Sequence, residues 1–412
     1  MPAAARRALQ ASPTKACAVC KGTEADEVYR QSYASIAGLG DVNYDHRIVI
    51  CSGCGLVYAN PPPSEELIAS YYRDLSNYEN PQRQGKASLG DEGKWNRTCE
   101  IVAARFPRGF RGQALEIGCA TATGLSHFKQ RGWSVTVVDP SPKAAAIAKD
   151  LYDIEVVVGM FDPAAVRERG PFDLIVLSHV VEHLVEPDVL LGRLGEVLKP
   201  GGLVYIEVPN LLRPYVPMGY FMFEHLSYFT PKTLTLLMEG CGFMEDQVAT
   251  FDNGADIEPF YPVIAATYWH AGDHKAVPVG SDYDAALAAV EGYKEKTGAE
   301  IARLQSRIDS IYRQLAGQRL ALWGGGLHTS QLLSMVRLAG APPVCIFDND
   351  AKKQGLALDG VEIVAPQATA ADYQRLTDAI LISSRASEDE IWRQIAWLEA
   401  HGIRVFRLYA EP

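Results

Sequence analysis

One stretch constrains this chain more than any other: Ala114-Leu115-Glu116-Ile117-Gly118-Cys119-Ala120-Thr121-Ala122-Thr123-Gly124. An apolar run stops at an acid and a glycine, small residues follow, and a helix-like segment starts at Leu125. The order predicts a strand, a tight turn and a helix N-terminus. Small side chains there let a ligand approach the backbone closely. The spacing is not the G-x-G-x-x-G of dinucleotide folds.

The following stretches repeat this grammar. Val135-Thr136-Val137-Val138-Asp139 is a second apolar strand ending in an acid, placed to bind ribose hydroxyls. Phe172-Asp173-Leu174-Ile175-Val176-Leu177-Ser178-His179 is a third, running into Val180-Val181-Glu182-His183-Leu184. Leu198-Lys199-Pro200-Gly201-Gly202 predicts a turn before the strand at Leu203-Val204-Tyr205-Ile206-Glu207-Val208. Open α/β sheets bind ligands at the carboxyl ends of their strands, where Ser178 and His179 fall.

These residues resemble the class I S-adenosylmethionine (SAM) methyltransferases: motif I, with Ala120 and Ala122 in place of its second and third glycines, then "FDLI…EHL…LKPGG". The resemblance implies a doubly wound α/β domain with SAM as cofactor. Glu116, Gly118, Ala120, Asp139, Phe161 and Ser178 would bind it, with Phe161 in Val156-Val157-Val158-Gly159-Met160-Phe161 stacking on the adenine. His179 is a catalytic candidate. His183 reads as structural.

At 412 residues the chain has room for two to four domains. A net charge of −11 argues against general binding to nucleic acid or anionic membranes. No apolar run approaches the roughly 18 residues of a membrane span. Arg6 and Arg7 precede no apolar core, so no signal peptide is expected and a cytoplasmic location is.

Cys17-Ala18-Val19-Cys20 and Cys51-Ser52-Gly53-Cys54 form two Cys-x-x-Cys knuckles. Four thiolates at this spacing suit a tetrahedral structural zinc site with no position open for chemistry. His46 is a substitute ligand in this reading. The prolines from Pro61 to Pro63 then end regular structure, and Ser64 can cap a helix carrying Tyr71 and Tyr72, with Tyr78 beyond it. Tyr72 is a catalytic and Tyr78 a substrate-binding candidate at the active-site mouth.

Tyr220-Phe221-Met222-Phe223-Glu224-His225-Leu226-Ser227-Tyr228-Phe229 places two ionisable residues, Glu224 and His225, in an aromatic setting that suits general acid–base work. After a short linker, Tyr283 to Ala316 has helical apolar periodicity, with a break expected near Gly298. Leu320-Ala321-Leu322-Trp323-Gly324-Gly325-Gly326-Leu327-His328-Thr329 is a second strand, glycine loop and helix, a phosphate-holding arrangement. Val344-Cys345-Ile346-Phe347-Asp348 follows, with Lys353 shortly after.

The four-cysteine segment, the SAM domain with Glu-His-Leu-Ser-Tyr-Phe and a C-terminal Rossmann-like domain together resemble the NDP-sugar C-methyltransferase family over nearly the whole chain. The resemblance implies a zinc-binding domain at 1–85, a SAM domain at 86–270 and a helix plus substrate-binding domain at 283–412. It implies a nucleotide-linked ketosugar as substrate. A base takes the proton beside the ketone, and the enolate takes the methyl group by in-line displacement. His225 is the expected base, with Glu224 orienting a histidine or binding substrate hydroxyls. Tyr228, Gly324, Gly326, His328, Thr329, Asp348 and Lys353 are expected to bind substrate. Met222 and Phe223 stand where the family carries tyrosine and histidine. The alternatives are O- or N-methylation of another small molecule, or a non-catalytic scaffold with the same folds. A monomer or homodimer is expected, and the methyl-transfer chemistry itself asks for no metal.

Overall fold

The computed structural model describes residues 14–36, 40–64, 67–68, 89–118, 121–214, 218–253, 261–272, 280–338 and 340–410. Tyr71, Tyr72, Tyr78 and Ala120 lie outside them. Among the described residues, three sheets organise the chain.

The first is a four-stranded antiparallel sheet. Its strands β1 (Ala25–Ile36), β2 (Gly40–Cys51) and β3 (Val57–Ala59) come from the N-terminal segment. Its last strand, β9 (Ser227–Tyr228), comes from the Glu-His-Leu-Ser-Tyr-Phe stretch and pairs Val57 with Tyr228.

The second sheet has seven strands. β4 (Gln113–Ile117), β5 (Ser134–Asp139), β6 (Val156–Val158), β7 (Phe172–Ser178) and β8 (Leu198–Pro209) run parallel. β11 (Tyr261–His270) lies antiparallel between β8 and β10 (Phe243–Asn253). The order is β10-β11-β8-β7-β4-β5-β6. Residues 202–209 of β8 are all buried, as expected for a strand covered on both faces. One apolar layer includes Leu115, Ile175, Leu177 and Ile206; the other includes Ala114, Leu174, Val176 and Tyr205.

The third sheet holds β12 (Leu320–Trp323), β13 (Ile346–Phe347), β14 (Ala357–Leu358), β15 (Val361–Val364), β16 (Ala379–Ile382) and β17 (Arg404–Arg407). Its order is β14-β15-β13-β12-β16-β17, parallel except at β14.

Four helices position the site. α1 (Leu89–Ala103) precedes β4, and α2 (Thr123–Gln130) follows it. α3 (Tyr283–Leu315) is one continuous helix of 33 residues, not the broken one expected. Nothing lies within 4 Å of the Cβ position at Gly298, and the buried stripe Val290, Tyr293, Thr297, Leu304 and Ile308 runs past it. The stripe's packing outweighs the helix penalty of about 1 kcal/mol for one glycine. α3 packs Ala286, Val290 and Tyr293 against the first sheet and Leu304 to Leu315 against the third. α4 (Leu327–Met335) lies against β1, where Gln331 donates to the Tyr33 hydroxyl at 3.0 Å. No helix among the described residues is long and apolar enough to cross a membrane.

Candidate active site

The turn after β4 is shaped by what it cannot accommodate. Gly118 has φ +72°, and a Cβ there would lie 2.6 Å from Val180. At Gly124 a Cβ would meet Trp95 at 2.5 Å and Glu116 Oε1 at 2.7 Å. Ala122 adopts the left-handed region ahead of α2. Glu116 is buried, and its Oε2 accepts the Leu125 N–H at 3.3 Å. Burial pushes its carboxyl up to about 8, against the Leu125 amide and Lys94, which favour ionisation. Asp139 ends β5 beside it, and its Oδ1 accepts the Ser141 N–H at 2.9 Å. Phe161 lies past the end of β6, half-buried on the apolar layer.

A charged cluster sits at the neighbouring ends of β7 and β8, where Ser178 pairs with Glu207. Lys94 of α1 lies 2.8 Å from Ser178 Oγ and 2.9 Å from Glu207 Oε1, and Arg97 reaches Glu207 Oε2 at 3.2 Å. His179, with φ +56°, turns its ring between two carboxylates. Nδ1 is 3.1 Å from Glu182 Oε1 and Nε2 is 3.3 Å from Glu207 Oε1. Burial and Lys94 work to lower the pKa of His179, but the hydrogen bonds to Glu182 and Glu207 carry it above the ordinary histidine value. Burial also opposes ionisation of Glu182, yet His179 and the neighbouring histidines hold its carboxyl down at about 2.

Behind His179 lie His183 and His225, with ring centroids 4.8 Å apart. His183 Nδ1 is 2.9 Å from the Glu224 carbonyl, and the Leu226 N–H donates to the Glu182 carbonyl. His225 is 6% exposed against 27% for the His179 side chain. Burial first, then the nearby His183, pushes His225 down to about 3, so it is neutral. Glu224 is buried beside it.

The remaining candidates divide between cleft and frame. Tyr228 is buried, its hydroxyl 3.1 Å from His46 Nε2 and donating to the Met222 carbonyl at 3.3 Å. His46 Nδ1 is 3.1 Å from the Tyr44 hydroxyl, so both ring nitrogens of His46 face tyrosines and not the cysteine cluster. Phe223 packs with Tyr33, Tyr44 and Leu67, with Leu327 against them, so the departure at that position serves a joint between sheets.

In the third sheet, Gly324 has φ +109°, and the Gly325 N–H donates to Asp348 Oδ2 at 2.8 Å. Lys353 pairs with that same oxygen at 3.2 Å. Thr329 meets Ser383 at 2.9 Å, and His328 Nε2 contacts the Tyr409 hydroxyl. Burial lowers His328 to about 4. A Cβ at Gly219 would lie 3.2 Å from Gln331 of α4, which sets this helix beside the segment leading to His225.

The sulfurs of Cys17, Cys20, Cys51 and Cys54 lie within 4.8 Å of one another. The Cys17–Cys54 and Cys20–Cys51 separations are 3.5 and 3.4 Å, far too long for disulfides. A tetrahedral zinc with Zn–S near 2.3 Å places its sulfurs about 3.8 Å apart, so the donor set fits that ion. The turns are closed by the Lys21 N–H to the Cys17 carbonyl and the Gly55 N–H to the Cys51 carbonyl, both at 2.9 Å.

Reading the sequence missed Lys94, Arg97, Glu182 and Glu207. Glu182, in the EHL motif, and Glu207, an acid near the carboxyl end of a buried strand, carried a signal.

Residues 92–247 match a family model described as a methyltransferase domain. The ubiquinone biosynthesis O-methyltransferase of Caulobacter vibrioides is 31% identical over 26% of this chain and 44% of its own length. That of Bradyrhizobium sp. (strain ORS 278) is 35% identical over 23% and 39%. The chain thus spans about half the length, or less, of these curated relatives. A solved 1,6-didemethyltoxoflavin-N1-methyltransferase of Burkholderia thailandensis aligns with 17% identity and a TM-score of 0.39, over 53% of this chain and 96% of that one. By the family match and the sheet order, residues 92–247 form a methyltransferase domain with the class I SAM-dependent fold.

Proposed function

We propose that this protein is a cytoplasmic SAM-dependent methyltransferase acting on a small molecule, with a nucleotide-linked ketosugar as the favoured acceptor and its carbon as the methylated atom. Glu116, Gly118, Asp139, Phe161 and Ser178 hold SAM. The observation that carries the reading is the His179–Glu182 pair at a strand end beside that turn. In the neutral ring Glu182 accepts the hydrogen bond from Nδ1–H and orients the imidazole, while Glu207, which accepts from Nε2 only when the ring is charged, stays paired with Lys94 and Arg97. Nε2 of His179 is then the atom that accepts the acceptor's proton. We prefer His179 to the deeper His225 for this step because it has the greater reach. The carbanion or oxyanion so formed attacks the methyl carbon in line, and the C–S electron pair leaves on sulfur.

The three sheets divide the work, as zinc-bound frame (1–85), SAM domain (86–270) and acceptor-holding helix and domain (283–412). The four cysteines hold a structural zinc. The Gly324–Gly326 loop, His328, Thr329, Asp348 and Lys353 hold the acceptor's charged end. A second reading, O-methylation, is favoured by the curated relatives, named as ubiquinone biosynthesis O-methyltransferases, which match the same central segment. The test is deuterium wash-in beside the ketone of nucleotide-linked ketosugars without SAM, followed by product mass and carbon NMR with SAM. Exchange with a carbon-bound methyl supports the first reading. A methylated oxygen without exchange supports the second, and no stabilisation by SAM leaves only a scaffold.

A further inference from the structure

Two groups compete for one oxygen of Glu207. Lys94 Nζ lies 2.9 Å from Oε1, and His179 Nε2 lies 3.3 Å from the same atom. The other oxygen is met by Arg97 at 3.2 Å and by the Tyr205 hydroxyl, which donates at 3.1 Å. Lys94 and Arg97 stand three residues apart on α1, so one helix face presents both cations to one carboxylate. The Glu207 side chain is wholly buried and that of Lys94 is 13% exposed. Water and salt therefore screen these charges little, and each acts strongly on its neighbours. Burial opposes the charge on Glu207, yet Lys94 and then His179 hold its carboxyl well below the ordinary range.

We propose that Lys94 is a positioning residue for the reaction: by claiming Glu207 it keeps the His179 ring neutral, so that Nε2 can take the acceptor's proton. Charge balance is the reason. Glu182, in the turn after β7, and Glu207, on β8, bring two negative charges to His179, while Lys94 and Arg97 bring two positive ones from α1. A neutral His179 leaves this set balanced. Without Lys94 one buried carboxylate is left over, and a proton on His179 is the nearest means of neutralising it. The imidazolium donates from both nitrogens, to Glu182 and to Glu207, and has no lone pair left for another proton. The remaining groups around the ring do not replace Lys94. His225 is neutral, and His183 gives its Nδ1 proton to the Glu224 carbonyl. The Glu224 side chain can bring only negative charge, and burial keeps the Tyr205 hydroxyl protonated. Ser178 Oγ accepts from Lys94 at 2.8 Å, which fixes the ammonium at the end of β7. The consequence for methyl transfer rests on His179 being the base.

The test is an NMR titration of the full-length protein with isotopically labelled histidine, without SAM or acceptor. The His179 ring signals are those that His179→Gln removes. Lys94→Met should raise the proton affinity of His179 about tenfold or more, and Lys94→Arg should restore most of the wild-type value. Lys94→Gln keeps a hydrogen-bonding side chain without the charge, should show the same rise, and decides the matter where Lys94→Met does not fold. An unchanged His179 titration in either folded neutral variant overturns the proposal, as does a rise that Lys94→Arg fails to reverse. In steady-state assays the acid limb of kcat/KM should move to higher pH by the same amount. A rise seen by NMR with no such movement keeps Lys94's control of the ring and removes His179 as the base.

Discussion

His183 gives its Nδ1 proton to the Glu224 carbonyl across 2.9 Å, tying the turn after β7 to the loop that carries His225. The Leu226 N–H returns the tie through the Glu182 carbonyl. His183→Leu removes the donor without charge. It should cost about 1–3 kcal/mol of stability, measured by denaturant unfolding, while leaving the affinity for SAM near that of wild type.

The pairing of His179 with Glu182 predicts a split in kinetics. His179→Gln keeps a polar side chain but no exchangeable base, so kcat should fall by about 100-fold or more. The dissociation constant for SAM, measured by calorimetry, should change little. An equal loss in SAM binding would place His179 in the cofactor pocket instead.

With Glu116 holding SAM as proposed, SAM binding should depend on pH. Its folded pKa, about 8, lies above the ordinary 4.5, so its contribution to stability is full below about 4.5 and is lost as pH rises through about 8. SAM carries positive charge and prefers the carboxylate. Its stabilisation of the protein should therefore grow between about pH 6 and pH 8, read as the increase in melting temperature on adding SAM. Glu116→Gln should flatten that growth and weaken binding throughout.

Removing metal from the cysteine cluster should be felt far from it. Cys51 ends β2, which pairs with β3, which pairs with β9. Cys51→Ser should lower stability by several kcal/mol, abolish the bound zinc and impair methyl transfer. SAM should still bind, because Glu116 and Asp139 stand on the second sheet. Equal loss of SAM binding would show that the two sheets unfold together.

The strands carrying Glu116, Asp139 and Ser178 were legible because each is an apolar run stopped by a polar residue. The cysteine pairs were legible from spacing alone. Lys94 and Glu207 were not, because their contact joins positions more than a hundred residues apart and no local pattern encodes it. Phe223 looked like a lost polar group, whereas its neighbours Tyr33 and Leu67 make it a packing residue. Gly298 looked like a helix breaker, but tertiary burial on the opposite face outweighs one residue's propensity. The two residues of β9 were too few to announce a strand.

That two-residue strand makes the molecule hard to divide. Ser227 and Tyr228 belong by chain to the methyltransferase domain and by hydrogen bonding to the four-cysteine ribbon. A fragment trimmed at residue 88 would expose their amides and carbonyls next to Glu224 and His225, as a template for stray chains. Grafting a foreign N-terminal ribbon, conversely, would rebuild the sheet that holds Ser227 and Tyr228 and leave the strands of Glu116 and Asp139 in the second sheet.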